Sequence, residues 1–123
     1  MGLTIVGCGY LGEAVARQLQ PRRKVLPLTL TTIVTDRHAA LRDLADQLLL
    51  CDATDPSQLL VALQRNHTAV FCLAPRGNQQ VNADGYRQTF VDSFRCLRSL
   101  LPDLPHLHQI IYTGSCSVYG DAD

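Results

Sequence analysis

The stretch "IVGCGYLGE" (residues 5–13) carries Gly7, Gly9 and Gly12 between the apolar run "LTIV" (3–6) and a segment with helical spacing. The run is short, apolar and β-branched, which predicts a buried strand. Leu11, Ala14, Val15, Gln18 and Leu19 follow at i, i+3, i+4, i+7 and i+8, which predicts a helix face ended by Pro21. A G-x-G-x-x-G between strand and helix gives each glycine its own task. Gly7 allows the tight turn out of the strand, Gly9 lets the main chain approach a pyrophosphate, and Gly12 lets the helix sit close to the sheet. The helix N-terminus offers free N–H groups and partial positive charge to the phosphates. In this setting the motif predicts dinucleotide binding, against the alternative of a purely structural turn. Cys8 reads as an inert loop thiol. Tyr10 and Leu11 either cover the cofactor or pack.

Working outward, strands and helices alternate. "KVLPLTLTT" (24–32) is a second strand candidate, although Pro27 lacks a ladder donor and favours an edge or a strand start. Leu41, Leu44, Ala45 and Leu48 give a second helical face, and "LLLC" (48–51) a third strand. Asp55-Pro56 is a helix start, with Asp as N-cap and Pro at the first helical position, and Leu59, Leu60 and Leu63 turn that helix inward. "TAVFCLA" (68–74) is an apolar strand of the kind covered on both faces. "PRGNQQ" (75–80) is a loop. Tyr86, Phe90, Phe94, Leu97 and Leu101 then mark a fourth helix that Pro102 stops, and "QIIYT" (109–113) is a fifth strand before the loop "GSCSVYGDAD". The order β-α-β-α-β-α-β-α-β implies parallel strands and right-handed crossovers. The expected fold is α/β, a three-layer, Rossmann-type doubly wound parallel sheet of about five strands.

Composition narrows the classes. The 123 residues suit one modest domain. Eleven basic and eleven acidic residues cancel, which leaves no electrostatic footprint for nucleic acid, and Arg22-Arg23-Lys24 reads as a solvated turn. The apolar runs are too short to span a bilayer. A strand beginning at Leu3 leaves no room for a leader peptide, and Val6 stands where N-myristoylation needs Ser or Thr. The expectation is a cytoplasmic chain with neither membrane nor nucleic acid as partner. The cysteines at 8, 51, 72, 96 and 116 form no C-x-x-C and are odd in number, so they read as reduced, small hydrophobes. His106 and His108 form an H-x-H with no nearby ligands to complete a shell, which favours a surface pair over a metal site.

NAD-specific folds place an acid about 20 residues beyond the glycines to hold the ribose 2′-OH. Thr31 and Thr32 stand there instead, and Asp36 comes four or five positions late, where it caps or opens the second helix. Hydroxyls tolerate a 2′-phosphate that a carboxylate would repel, and Arg37, or Arg22 and Arg23, could supply positive charge. The expected cofactor is therefore NADP in preference to NAD. In "CDATD" (51–55), Asp52 either accepts from the adenine amino group, with Ala53 against the ring, or simply caps a turn.

"YTGSCSVYGD" (112–121) resembles the fifth-strand motif of the extended short-chain dehydrogenase/reductases, the NAD(P)-dependent epimerase/dehydratases. With "VGCGYLG", "CDATD" and "FCLAP", the resemblance covers the whole chain. The loop is similar to that of an atypical branch, since the usual extended enzymes carry G-x-x-G-x-x-G, and this departure leaves the substrate class open. The resemblance implies that Ser115 is the catalytic serine, bonded to the reacting oxygen of the substrate. It also implies that Leu73, Ala74 and Pro75 line the cofactor's ribose and pyrophosphate. The family's acid/base pair is Tyr-x-x-x-Lys, in which Lys⁺ lowers the phenol pKa. Four residues beyond Tyr10, Tyr86, Tyr112 and Tyr119 stand Ala14, Phe90, Cys116 and Asp123, so the pair is absent. The expectation is an incomplete domain over 1–123, truncated on its C-terminal side, without dyad helix or substrate lobe. It would be the cofactor half of an oxidoreductase or epimerase acting on a small, sugar-nucleotide-like substrate, binding cofactor without turnover. The alternative is a non-catalytic, redox-sensing module. An open fifth-strand edge also raises a homodimer.

Overall fold

Residues 2–73 and 87–113 are described by the computed structural model. Five parallel strands, β1 (Leu3–Val6), β2 (Leu28–Thr32), β3 (Gln47–Leu50), β4 (Thr68–Phe71) and β5 (Gln109–Tyr112), form one sheet in the order β3-β2-β1-β4-β5. The helices are α1 (Tyr10–Gln18), α2 (His38–Arg42), α3 (Pro56–Leu63) and α4 (Ser93–Leu100). The expected doubly wound architecture is present. Its strand order reverses at β1, which lies between β2 and β4.

Period-two alternation divides the core. Ile5, Leu28, Leu30 and Val70 face Ala16 of α1 and Leu41 of α2. Val6, Ala69 and Phe71 face Leu59 and Leu63 of α3 and Leu97 and Leu100 of α4. Thr4 is fully buried, and its Oγ1 donates to the Ala62 carbonyl at 2.9 Å, so the hydroxyl is satisfied. Asp55 caps α3 as expected, accepting from the N–H groups of Ser57 and Gln58 at 3.0 and 3.3 Å.

Several sequence expectations shift. On α1 the buried residues are Gly12 and Ala16, with Val15 and Leu19 packed beside them, whereas Leu11, Ala14 and Gln18 are exposed. A Cβ on Gly12 would lie 3.1 Å from Ile5 and 3.2 Å from the Cys8 sulfur, so this close approach sets which face turns inward. On α4, Phe94 and Leu101 are exposed, and Ser93, Cys96, Leu97 and Leu100 are buried. A π-turn over Arg87–Asp92 precedes the helix and puts the four-residue step from Phe90 to Phe94 out of phase. The Ser93 hydroxyl donates to the Thr89 carbonyl one turn back, a contact that bends helices. The second helix is one short turn, with Leu44 in the following turn and Leu48 in β3. Pro27 does not make β2 an edge. It precedes the ladder, which opens at Leu3 and Leu28, and its carbonyl accepts from Leu3 N–H at 3.0 Å.

Arg23 departs from the solvated turn read for residues 22–24. It is half-buried, donating to Gln20 Oε1 at 3.0 Å, the Asp43 carbonyl at 2.9 Å and Asp46 at 3.4 Å. Asp46 in turn accepts the first N–H of β2, from Leu28, at 2.7 Å. That bond, with the Arg23 guanidinium adding to it, holds the Asp46 carboxyl below its usual range. Arg22 and Arg23 therefore stand at the amino end of the sheet, opposite the glycine loop, and cannot supply charge there. At the other margin β5 bonds only to β4 among the described residues, and Gln109, Ile110 and Ile111 are exposed. No helix of the described residues is long and apolar enough to cross a membrane.

Candidate functional site

The glycine loop leaves β1 at the carboxyl end of the sheet, where Thr31 of β2 holds it. Gly7 N–H donates to Thr31 Oγ1 at 3.0 Å, and Cys8 N–H donates to the Thr31 carbonyl at 2.7 Å. Gly7 has φ +81°, which is why the turn calls for glycine, and a Cβ there would also stand 2.6 Å from Leu73 Cδ2, which would have to shift. Gly9 is the N-cap of α1, and a Cβ there would meet nothing within 4 Å. No side chain caps this helix, so its first N–H groups are left without a side-chain acceptor.

A cavity of about 280 Å³ opens in front of this loop. Gly7 and Gly9 form one wall, Thr32 and the exposed Ile33 and Val34 a second, Asp52 and Ala53 a third, and Leu73 the side next to β4. All follow the carboxyl ends of β1 to β4, the position at which open α/β sheets bind ligands. Of the sequence candidates, Gly12 and Thr31 lie behind the loop and support it. Tyr10 and Leu11 are exposed outside the lining, 89% and 54% accessible. Ala74, Pro75 and Ser115 lie outside the described residues.

Asp52 Oδ1 accepts from Thr54 N–H and Oγ1 at 2.9 and 2.7 Å, so it does cap its turn while also lining the cavity. Asp36 sits exposed in the 3₁₀ turn Thr35–Arg37 that leads into α2, and no side chain caps that helix. Arg37 lines the cavity. Its Nε donates to the Cys8 carbonyl at 3.2 Å, an Nη donates to Glu13, and the guanidinium lies 5.1 Å from the Tyr10 ring centre.

Glu13, Cys51, Thr89 and Ser93 were not read from the sequence as parts of this region. Glu13 has no local signal, because Arg37 is 24 residues away. Thr89 and Ser93 reach the lining through the π-turn. Ser93 gives its proton to the Thr89 carbonyl, so the Tyr112 hydroxyl, 2.7 Å away, donates to Ser93. Burial pushes the Tyr112 phenol up. Burial also pushes the Cys8 and Cys51 thiols up to about 12, which makes both unreactive packing groups. Cys8, Cys51, Cys72 and Cys96 are free and buried, and Cys116 lies outside the described residues. The H-x-H gains a neighbour that spacing did not show. The His67 ring lies 5.3 Å from His108 and 6.4 Å from His106, yet no cluster among the described residues could hold a metal ion.

The Thr31 hydroxyl gives a direct test of how the loop is held. Thr31→Val keeps the shape but removes the acceptor of the half-buried Gly7 N–H, with an expected loss of about 0.5–1.5 kcal/mol in urea denaturation. A change below a few tenths would show that Gly7 N–H finds another partner.

Comparison with known proteins places this geometry. D-erythronate dehydrogenase of Cupriavidus necator is 31% identical over 126 residues, covering 93% of this chain and 38% of that protein. The NAD-bound dTDP-glucose 4,6-dehydratase DesIV of Streptomyces venezuelae superposes with a TM-score of 0.77 at 20% identity, over all of this chain and 42% of its own. A blue fluorescent protein from a metagenomic library, in complex with NADPH, superposes at 0.65 and 18% identity, over 99% of this chain and 59% of its own. The chain thus spans less than two-fifths of its curated relative and shares its fold with proteins that hold either dinucleotide. The model of the NAD-dependent epimerase/dehydratase family matches residues 3–123, from the strand that carries the glycine loop onward, and this chain belongs to that family.

Proposed function

We propose that the chain is the NAD(P)-binding portion of an oxidoreductase or epimerase acting on a small polyhydroxylated substrate, a class that takes in sugar nucleotides and sugar acids. The observation that carries this reading is the bare main chain at Gly9, facing a cavity beside the uncapped N-terminus of α1. The space left open at Gly9 is where the pyrophosphate would lie. Gly7 and Gly9 leave room for it beside Leu73, and the family resemblance assigns Ala74 and Pro75 to the lining of the same ribose and pyrophosphate. Asp52 and Ala53 take the adenine. Among the described residues Oδ2 of Asp52 keeps no protein partner, so it remains able to accept from the amino group. Thr32 and Arg37 flank the ribose, and with no acid at the end of β2 the preferred dinucleotide is NADP. Bound cofactor supplies hydride exchange at its nicotinamide. Ser115 orients the reacting oxygen of the substrate, and the proton falls to groups this chain does not carry, so alone it binds without turnover.

The buried, reduced cysteines support a cytoplasmic setting, and the exposed Ile110 and Ile111 of β5 support a homodimer through that edge. Isothermal titration of the chain with NADP, then NAD, tests the cofactor reading. Both should bind, NADP more tightly. Tighter NAD overturns the preference, and heat from neither overturns the whole reading.

A further inference from the structure

Among the described residues Arg37 is the one cationic side chain lining the cavity, and it is already engaged by a carboxylate. We propose that Glu13 sets how far this site favours a 2′-phosphorylated dinucleotide, by competing with the 2′-phosphate for the Arg37 guanidinium. The inference rests on the cofactor reading above.

Arg37 follows β2 by five residues, beside Ile33 and Val34, on the wall where the adenosine ribose lies in this fold. Glu13, in the first turn of α1, is shared by two arginines. Its Oε2 accepts from Arg17 at 3.0 and 3.1 Å, and its Oε1 accepts from Arg37. The Glu13 and Arg37 side chains are each 22% exposed, whereas Arg17 is 58% exposed. The Glu13–Arg37 contact is therefore the less screened of the two. Arg37 spends one donor on the Cys8 carbonyl and one on Glu13, which leaves three of its five N–H groups. Those three are what remains for a 2′-phosphate, which would bring its charge close to the Glu13 carboxylate. The guanidinium thus attracts the phosphate while its partner repels it. NAD places a neutral hydroxyl at the same point and feels neither force. Any effect of Glu13 on the pyrophosphate is common to both dinucleotides and cancels in their ratio.

The test is titration of NAD and NADP against the parent chain and its Glu13→Gln, Arg17→Gln and Arg37→Met variants. Glu13→Gln keeps the size of the side chain, removes the repulsion, and should raise the NADP-over-NAD affinity ratio by roughly three- to tenfold. Arg37→Met should abolish the preference and make Glu13→Gln silent in the double variant. Arg17→Gln breaks the outer ion pair alone and should leave the ratio within about twofold. If Glu13→Gln fails to fold, Glu13→Asp, which draws the carboxylate back by one methylene, should move the ratio in the same direction by less. Binding of both dinucleotides with a ratio unmoved by either change at Glu13 overturns this inference and leaves the cofactor reading intact. Binding of neither by the parent chain overturns both.

Discussion

Valine in place of Gly9 will leave the fold standing and lower dinucleotide affinity by about a hundredfold. The two effects separate because of what surrounds the position. A Cβ at Gly9 meets no protein atom within 4 Å, so the added methyls project into the cavity and not into the core. There they hold a diphosphate away from the first N–H groups of α1. Losing one or two hydrogen bonds to a charged group, at about 1.5–3 kcal/mol each, gives an effect on the order of a hundredfold. Valine is a poorer N-cap than glycine, which costs the helix under about 1 kcal/mol. Gly9→Thr has similar bulk and caps about as well as glycine, so it isolates the steric effect. Calorimetric titration with NADP, beside a thermal melt of each variant, reads both quantities. Unchanged affinity in the threonine variant would place the diphosphate elsewhere.

Phe71→Ala will cost about 3–5 kcal/mol, which for a domain of this size is a large share of its total stability. Phe71 is fully buried at the end of β4, between β1 and β5, within the layer that joins α3 and α4 to the sheet. Its ring stacks on Tyr112, with centres 5.0 Å apart and planes 6° from parallel. Truncation removes the transferred surface, opens a void between two close-packed helices and a strand, and deprives Tyr112 of its partner. The urea midpoint should fall sharply at constant slope, and Phe71→Leu should lose less than half as much. A loss below about 1 kcal/mol for the alanine variant would mean that α3 and α4 close over the void.

The strands and their alternation with helices were legible because buried parallel strands are nearly continuous apolar runs, and punctuation such as Asp55-Pro56 is local. The glycine loop was legible for the same reason, since all its information lies within six residues. What escaped was set by contacts between distant segments. The inward face of α1 follows from Gly12 resting on Ile5, which side-chain hydrophobicity does not register. The phase of α4 follows from a π-turn held through Ser93, a polar residue inside an apolar pattern. The sequence named Arg37, Arg22 and Arg23 as equal sources of charge. Only the fold puts Arg37 at the cavity and ties Arg23 to Asp46 at the opposite end. The Thr31 hydroxyl stood as a cofactor candidate and is bonded to Gly7.

That last bond bears on how fast a ligand is captured and released. With Thr31 gripping it through both a hydroxyl and a carbonyl, the glycine loop is shaped before anything arrives and need not freeze on arrival. Encounter then runs at the pace of diffusion and orientation, and differences in grip between related nucleotides are expressed in how long each one stays.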